Sequence, residues 1–188
     1  QERLARAGLR TIDDIRARDP GEIVALVGKD GLRLHRLAHG IDTRKVDPVR
    51  ETKSISAETT FNHDIRDVET LTPILWRLTE KLSFRLKKAG FAGRSVTLKL
   101  KTADFRTRTR SRSGFPPTQL ARRLFDIAAP MLASECDGTA FRLIGIGASD
   151  LCDAALADTG DLADTESVRL ARMERAVDNL RERFGKAA

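Results

Sequence analysis

The alternation of apolar and cationic positions between Val96 and Ser113, VTLKLKTADFRTRTRSRS, predicts two strands joined by a short turn. On the first strand Val96, Leu98 and Leu100 fall on one face, with Lys99 and Lys101 on the other. On the second, Arg106, Arg108, Arg110 and Arg112 alternate with Phe105, Thr107, Thr109 and Ser111. The pattern is read as placing all six cations on one face, with Phe105 and the threonine and serine positions continuing the core side. Neighbours on one face of a strand lie about 6–7 Å apart, so each strand is expected to form a rail of positive charge. Like charges facing one another across a sheet repel, and a polyanion relieves that repulsion.

The same periodicities supply the rest of a domain. Ile55, Ala57, Thr59 and Phe61 alternate with Ser54, Ser56, Glu58 and Thr60, predicting a strand over 52–61. Leu71, Leu75, Leu78, Leu82 and Leu86 recur every three or four residues up to Gly90, the spacing of an amphipathic helix. Trp76 on that helix is read as a packing residue. Leu120, Leu124, Ile127, Ala128 and Leu132 mark a second helix after Pro116-Pro117, and 139–146 reads as a fourth strand. Strand, helix, strand, strand, helix, strand is the split βαβ order of an α+β domain. Its four-stranded sheet carries two helices on one face and leaves the other open. The open face is expected to be the basic one.

Residues 1–42 read as short helices joined by tight turns. Thr11 with Asp14 fits a capping box, and Asp19, with Pro20 at the first helical position, starts another helix. The turn holding Gly28, Lys29 and Gly31 is a candidate phosphate-binding turn before a helix N-terminus, a weak signal by itself. Residues 43–51, TRKVDPVRE, read as an extended basic linker between two domains. Between 150 and 166 stand six acids and no base (Asp150, Asp153, Asp158, Asp161, Asp164 and Glu166), which reads as a flexible acidic tether. Over 167–185, Leu170, Met173, Val177, Leu180 and Phe184 step by three and four along a charged helix. That seam has three candidate partners: the preceding domain, a second copy, or another protein.

The chain has 188 residues, 40% of them hydrophobic, and a net charge of +7. Residues 94–112 alone hold seven Lys or Arg against the single acid Asp104, so the charge is localised. Two cysteines, Cys136 and Cys152, and three histidines offer too few ligands for an ordinary zinc site. The pair His35 and His39, one helical turn apart, is read as a surface pair, and reduced thiols in a cytoplasmic protein are expected. No apolar run approaches the roughly 20 residues of a membrane span. The start at Gln1 suggests a fragment of a longer protein. No Ser-His, Cys-His or paired-carboxylate spacing supports a small enzyme. A stand-alone RNA-binding module shares the element order, but such modules stack bases on sheet aromatics, and this chain has no Tyr. Lys, Arg, Ser and Thr at those positions suit phosphate contacts instead.

Three segments together carry a family resemblance. Residues 4–42, with a Gly-Leu-Arg-Thr turn at Gly8 and a closing Gly-Ile-Asp, are similar to the thumb of Y-family translesion DNA polymerases of the bacterial DNA polymerase IV type. Lys53-Ser54-Ile55-Ser56-Ala57-Glu58-Thr59-Thr60-Phe61 resembles that family's KS(I/V)xxExTF signature, and residues 96–113 resemble its VxLKxKxxDFxxxTRS. The resemblance implies a partial, helix-hairpin-helix-like thumb over 1–42 and a little finger DNA-binding domain over 52–149. The latter would grip primer–template DNA by its backbone, without sequence specificity, in DNA damage tolerance in the bacterial cytoplasm. It also implies DNA contacts at Lys53, Ser54 and Ser56 and at Arg108, Arg110 and Arg112, with thumb turns near Gly8 and at Gly28, Lys29 and Gly31 holding primer-side phosphates; Lys99, Lys101 and Arg106 are added to these candidates by the alternation pattern. The magnesium-binding catalytic carboxylates of that family precede Gln1, so no cofactor and no polymerisation are expected of this chain alone. A sliding-clamp peptide is implied near Asp161-Leu162-Ala163-Asp164, where the usual aromatic is missing and clamp binding is therefore expected to be weak.

Overall fold

A computed structural model describes residues 2–47, 51–159 and 165–185. The chain divides into two compact units, 1–50 and 51–188.

The first unit is four short helices: α1 (Glu2–Arg6), α2 (Ile12–Arg16), α3 (Pro20–Val27) and α4 (Asp30–Ala38). Thr11 caps α2 in a full capping box with Asp14, and the Asp19 carboxylate accepts from Gly21 N–H at 2.7 Å to start α3. Leu9, Ile15, Ile23 and Ala38 form the buried centre. Gly31, inside α4, lets α3 and α4 meet at backbone contact. A Cβ there would lie 2.6 Å from the Val24 backbone.

The second unit contains β1 (Ser54–Ile65), α5 (Val68–Ala89), β2 (Phe91–Thr102), β3 (Thr107–Thr118), α6 (Ala121–Glu135), β4 (Phe141–Asp153) and α7 (Thr165–Phe184). The sheet runs β1-β4-β2-β3, every neighbouring pair antiparallel. β1 and β2 are therefore parallel with β4 between them, a split βαβ unit. Asp67 caps α5 by accepting from Thr70 N–H at 2.8 Å, and Gly90 ends it in the left-handed region at φ 71°. All five predicted leucines of α5 are buried. They pack with Leu124, Ala128 and Leu132 of α6 against Val96, Leu98, Leu100, Ile144 and Ile146 of the sheet.

Two features depart from the sequence reading. Residues 150–158, expected to begin a flexible tether, are structured: β4 continues to Asp153 and a 3-10 turn follows at Ala154–Leu156. The Asp153 carboxylate accepts from Ala155 N–H, and that of Asp158 accepts from Thr118 Oγ1 at 2.7 Å and Gln119 N–H at 2.9 Å. These acids bond to the backbone and to the end of β3, so they do not behave as a solvated charge run. The implied clamp segment Asp161–Asp164 lies outside the described residues.

The second concerns α7, which takes the first of its three candidate partners, the preceding domain, but docks on α5 and the start of α6 by its polar stripe rather than its apolar seam. The Glu174 carboxylate accepts from Lys87 Nζ at 2.8 Å and from Ala121 and Arg122 N–H at 3.1 and 3.3 Å. It thereby caps a helix whose own N-cap residue, Leu120, supplies no side-chain bond. Asp178 also accepts from Lys87, and Arg181 pairs with Glu80. Of the apolar seam, Met173, Val177, Leu180 and Phe184 remain exposed.

Candidate nucleic-acid interface

The face of the sheet opposite α5 and α6 is built from four cross-strand rows. In the order β1-β4-β2-β3 they read Ser54–Ser149–Ser95–Ser113, Ser56–Gly147–Thr97–Ser111, Glu58–Gly145–Lys99–Thr109 and Thr60–Leu143–Lys101–Thr107. Directly paired residues share a face, and the Thr97 and Ser111 hydroxyls confirm it by meeting at 2.8 Å. The surface is therefore mostly small: hydroxyls and glycines, with Lys99 and Lys101 as its cations. Lys99 Nζ reaches Glu58 at 2.9 Å. The two stand on strands separated by β4, and the bridge passes over Gly145, which has no side chain to block it.

The register corrects the expected placement of the arginines. Arg108, Arg110 and Arg112 pair with Leu100, Leu98 and Val96, so they lie on the helix side of the sheet, and Thr107, Thr109 and Ser111 lie on the open side. The cause is the hairpin loop. Three residues, Ala103, Asp104 and Phe105, separate Thr102 from Arg106, and Thr102 N–H donates to the Arg106 carbonyl at 2.9 Å. An odd loop length pairs even positions with even ones, the reverse of the single cationic face expected.

On the helix side the arginines close the rim of the core along the edge strand. Glu135, 4% exposed at the end of α6, takes Arg110 at 2.5 Å and Arg108 at 3.4 Å. Arg108 also reaches Asp137 at 3.1 Å and Thr139 Oγ1 at 3.0 Å. Hydrogen bonds from the Thr139 hydroxyl and amide, with that from Arg108, hold the Asp137 carboxyl down at about 2. Arg112 is exposed, with no carboxylate partner among the described residues. Arg106 pairs with Asp104 at 2.6 Å in the loop. Thr102, ahead of Arg106, holds the Asp104 carboxyl below its usual range. Lys53, just before β1, is exposed, as are Ser54 and Ser56.

Phe105, expected on the core side, is instead 62% exposed at the hairpin tip, where Lys101 and Arg142 lie over its ring. Arg142 was not singled out from the sequence. It sits at the irregularity between Phe141 and Leu143 in the pairing with β2; no local pattern marks a bulge, and the antiparallel register alone reveals it.

In the helical unit Gly28 has φ 78° and ends α3, and Lys29 is exposed. Gly31 does not serve as a free donor as expected, because its N–H is bonded to the Gly28 carbonyl at 2.9 Å and its Cα faces Val24. The rings of His35 and His39 lie 4.4 Å apart, tilted by 39°, and both cysteines are free thiols, Cys136 pushed up by burial. No group of three or more His, Cys, Asp or Glu stands together among the described residues. The donor set for the magnesium implied by the resemblance is thus not found in them, and no metal-dependent step is assigned to them. No helix among them is long and apolar enough to cross a membrane.

Residues 52–162, which include the whole sheet and both of its helices, match the sequence model of the impB/mucB/samB family C-terminal domain. The chain belongs to this family. It is 49% identical over 185 residues to DNA polymerase IV 1 of Mesorhizobium japonicum, covering 98% of this chain and 42% of that protein. It is 48% identical to DNA polymerase IV of Caulobacter vibrioides, covering 98% and 46%. With DNA polymerase IV of Brucella melitensis biotype 1 it shares 47% identity, covering 97% and 41%. The chain thus spans less than half the length of these relatives. A Y-family DNA polymerase chimera shares the fold at a TM-score of 0.57 and 19% identity, over 81% of this chain and 44% of that one. The three relatives are DNA polymerases by name.

Proposed function

We propose that this chain is the DNA-gripping C-terminal part of an error-prone translesion DNA polymerase, holding primer–template duplex by its backbone during damage tolerance. The observation that carries the reading is the family match over the sheet domain, together with its open face of hydroxyls, glycines and lysines. Small polar side chains let a duplex backbone come close, and hydroxyls hydrogen-bond phosphate oxygens without reading bases. Ser54, Ser56 and the other open-face hydroxyls supply those contacts. Lys53 and Lys101 supply charge directly, Arg112 does so from the helix side of the edge strand β3, and Arg106 and Lys99 join them on leaving Asp104 and Glu58. Arg108 and Arg110 serve the domain by closing its core rim. Lys29, at the turn after Gly28, is an exposed cation of the helical unit. Nucleotidyl transfer, and the magnesium it uses, belong to a catalytic part that this chain does not itself supply.

The test is binding to primed duplex, blunt duplex, single-stranded DNA and duplex RNA across a salt series. Four phosphate contacts correspond to a log–log salt slope of roughly −3 to −4 on duplex DNA, independent of sequence. K101A with R112A should remove about half of it. Tighter binding to single strands or to RNA, or nucleotide incorporation by the chain with magnesium, would overturn the reading.

A further inference from the structure

Three properties converge on Phe105. Its ring is 62% exposed at the tip of the β2–β3 hairpin. Its backbone is left-handed, at φ 66°, in the loop position where three-residue hairpins ordinarily use glycine or asparagine; a bulky residue there costs conformational energy. Its ring is attended by cations, the Arg142 guanidinium 4.0 Å and the Lys101 ammonium 5.5 Å from its centre, with Arg106 next in the chain. The nearby acid, Asp104, is engaged by Thr102 and Arg106. The fold thus holds an aromatic ring in solvent, in a conformation it does not favour, at the hairpin tip beyond the row that contains Lys101.

We propose that Phe105, with Arg142 and Lys101, is a stacking site for one unpaired nucleotide of a DNA strand leaving the open face. The ring offers its uncovered area to a base, and the cations offer charge to that nucleotide's phosphate. An apolar protein partner would have to desolvate these cations, whereas a nucleotide uses ring and charge together. The base must be unpaired, because bases inside a duplex already have both faces stacked. This inference rests on the reading of the open face as a duplex-binding surface.

The test compares three DNAs on the whole chain: a blunt duplex, the same duplex with a single-stranded extension, and one whose extension is abasic. The abasic extension keeps the phosphates and removes the bases. Wild type is expected to prefer the base-bearing extension by about tenfold. F105N and F105G should lose that preference, keep blunt-duplex affinity, and melt at or above the wild-type temperature, because both residues suit a left-handed turn. F105W should retain the preference. Wild type binding both extensions equally, or F105N keeping the preference, would overturn the stacking site while leaving the duplex reading intact. An equal loss by F105N on all three DNAs would also overturn it. Failure of wild type to bind blunt duplex would instead remove the open-face reading, and this site with it.

Discussion

The Lys99–Glu58 bridge sets how much charge the open face presents, and Glu58→Gln should increase DNA affinity. The two side chains are 42% and 50% exposed, and a pair this open to water contributes at most about 1 kcal/mol to folding. The variant should therefore unfold within about 1 kcal/mol of wild type in urea. Its effect on DNA is larger relative to that change. A phosphate roughly 7 Å from the Glu58 carboxylate is repelled by about 0.6 kcal/mol in a water-like dielectric, and Lys99 must leave its partner before it can neutralise a phosphate. Removing both costs predicts a gain of about three- to tenfold near 0.1 M salt. The log–log salt slope should steepen by about 0.9, the signature of one more phosphate neutralised. The assay is fluorescence anisotropy on blunt duplex from low to moderate salt, with Lys99→Met and the double variant completing the cycle. Lys99→Met should cancel the steeper slope of Glu58→Gln. An unchanged slope in Glu58→Gln, or weaker binding, would refute the claim that Glu58 holds Lys99 in reserve.

Glu135→Gln leaves a buried amide facing two guanidinium groups where a carboxylate accepted from both; unfolding in urea should show a loss of about 1–3 kcal/mol, while duplex affinity rises as Arg110 is released and Arg108 stays on Asp137 and Thr139. Gly31→Ala drives a Cβ to 2.6 Å from Val24 backbone, which only helix separation relieves, so limited proteolysis should cut the helical unit faster, for a cost on the order of 1–3 kcal/mol. The Asp137 carboxyl, with a pKa of about 2 against 3.8 for a free side chain, stabilises the fold fully above about pH 4 and loses that contribution as pH falls through 2. Asp137→Asn should therefore be less stable than wild type at neutral pH, with the difference vanishing by about pH 2 in thermal melts. Glu174→Ala removes the carboxylate shared by Lys87 and the first N–H groups of α6, and hydrogen exchange should rise in α7 and at residues 121–122 while the sheet stays protected.

Strand and helix identities were legible because burial on one face writes itself as period two or period three to four. The five leucines of α5 and the Val96, Leu98, Leu100 row are such patterns, and each is buried. The site was less legible because its geometry depends on parity, which is decided by loop length. Residues 103–105 contain neither glycine nor asparagine, so nothing local announces a three-residue turn with its last residue left-handed. The same sequence turning through four residues, 103–106, would have paired Lys101 with Arg108 and placed the arginines on the open face. The acids between 150 and 158 misled for a related reason: composition registers their charge, but not that Asp153 and Asp158 accept bonds from backbone N–H groups. The docking of α7 through Glu174 was equally hidden, because its partner is the start of a helix 52–53 residues earlier in the chain.

The corrected parity changes what kind of grip the sheet provides. Six cations aligned on one surface would repel one another in the free protein and bind DNA mainly by counterion release, with a salt slope near −5. The observed arrangement puts Arg108 and Arg110 against the carboxylate of Glu135 and holds Lys99 on Glu58, so the free domain is not strained by its own charge. What remains on the open face is a shallow surface of serine, threonine and glycine with a few cations at its margins. Such a surface favours close fit to a regular backbone over long-range attraction. On the proposed reading, successive phosphates would meet similar hydroxyls, so that shifting the duplex by one nucleotide would cost little electrostatically. The measured salt slope decides between the two grips: a value near −5 would mean the arginines leave Glu135 on binding, and one of roughly −3 to −4 that they stay.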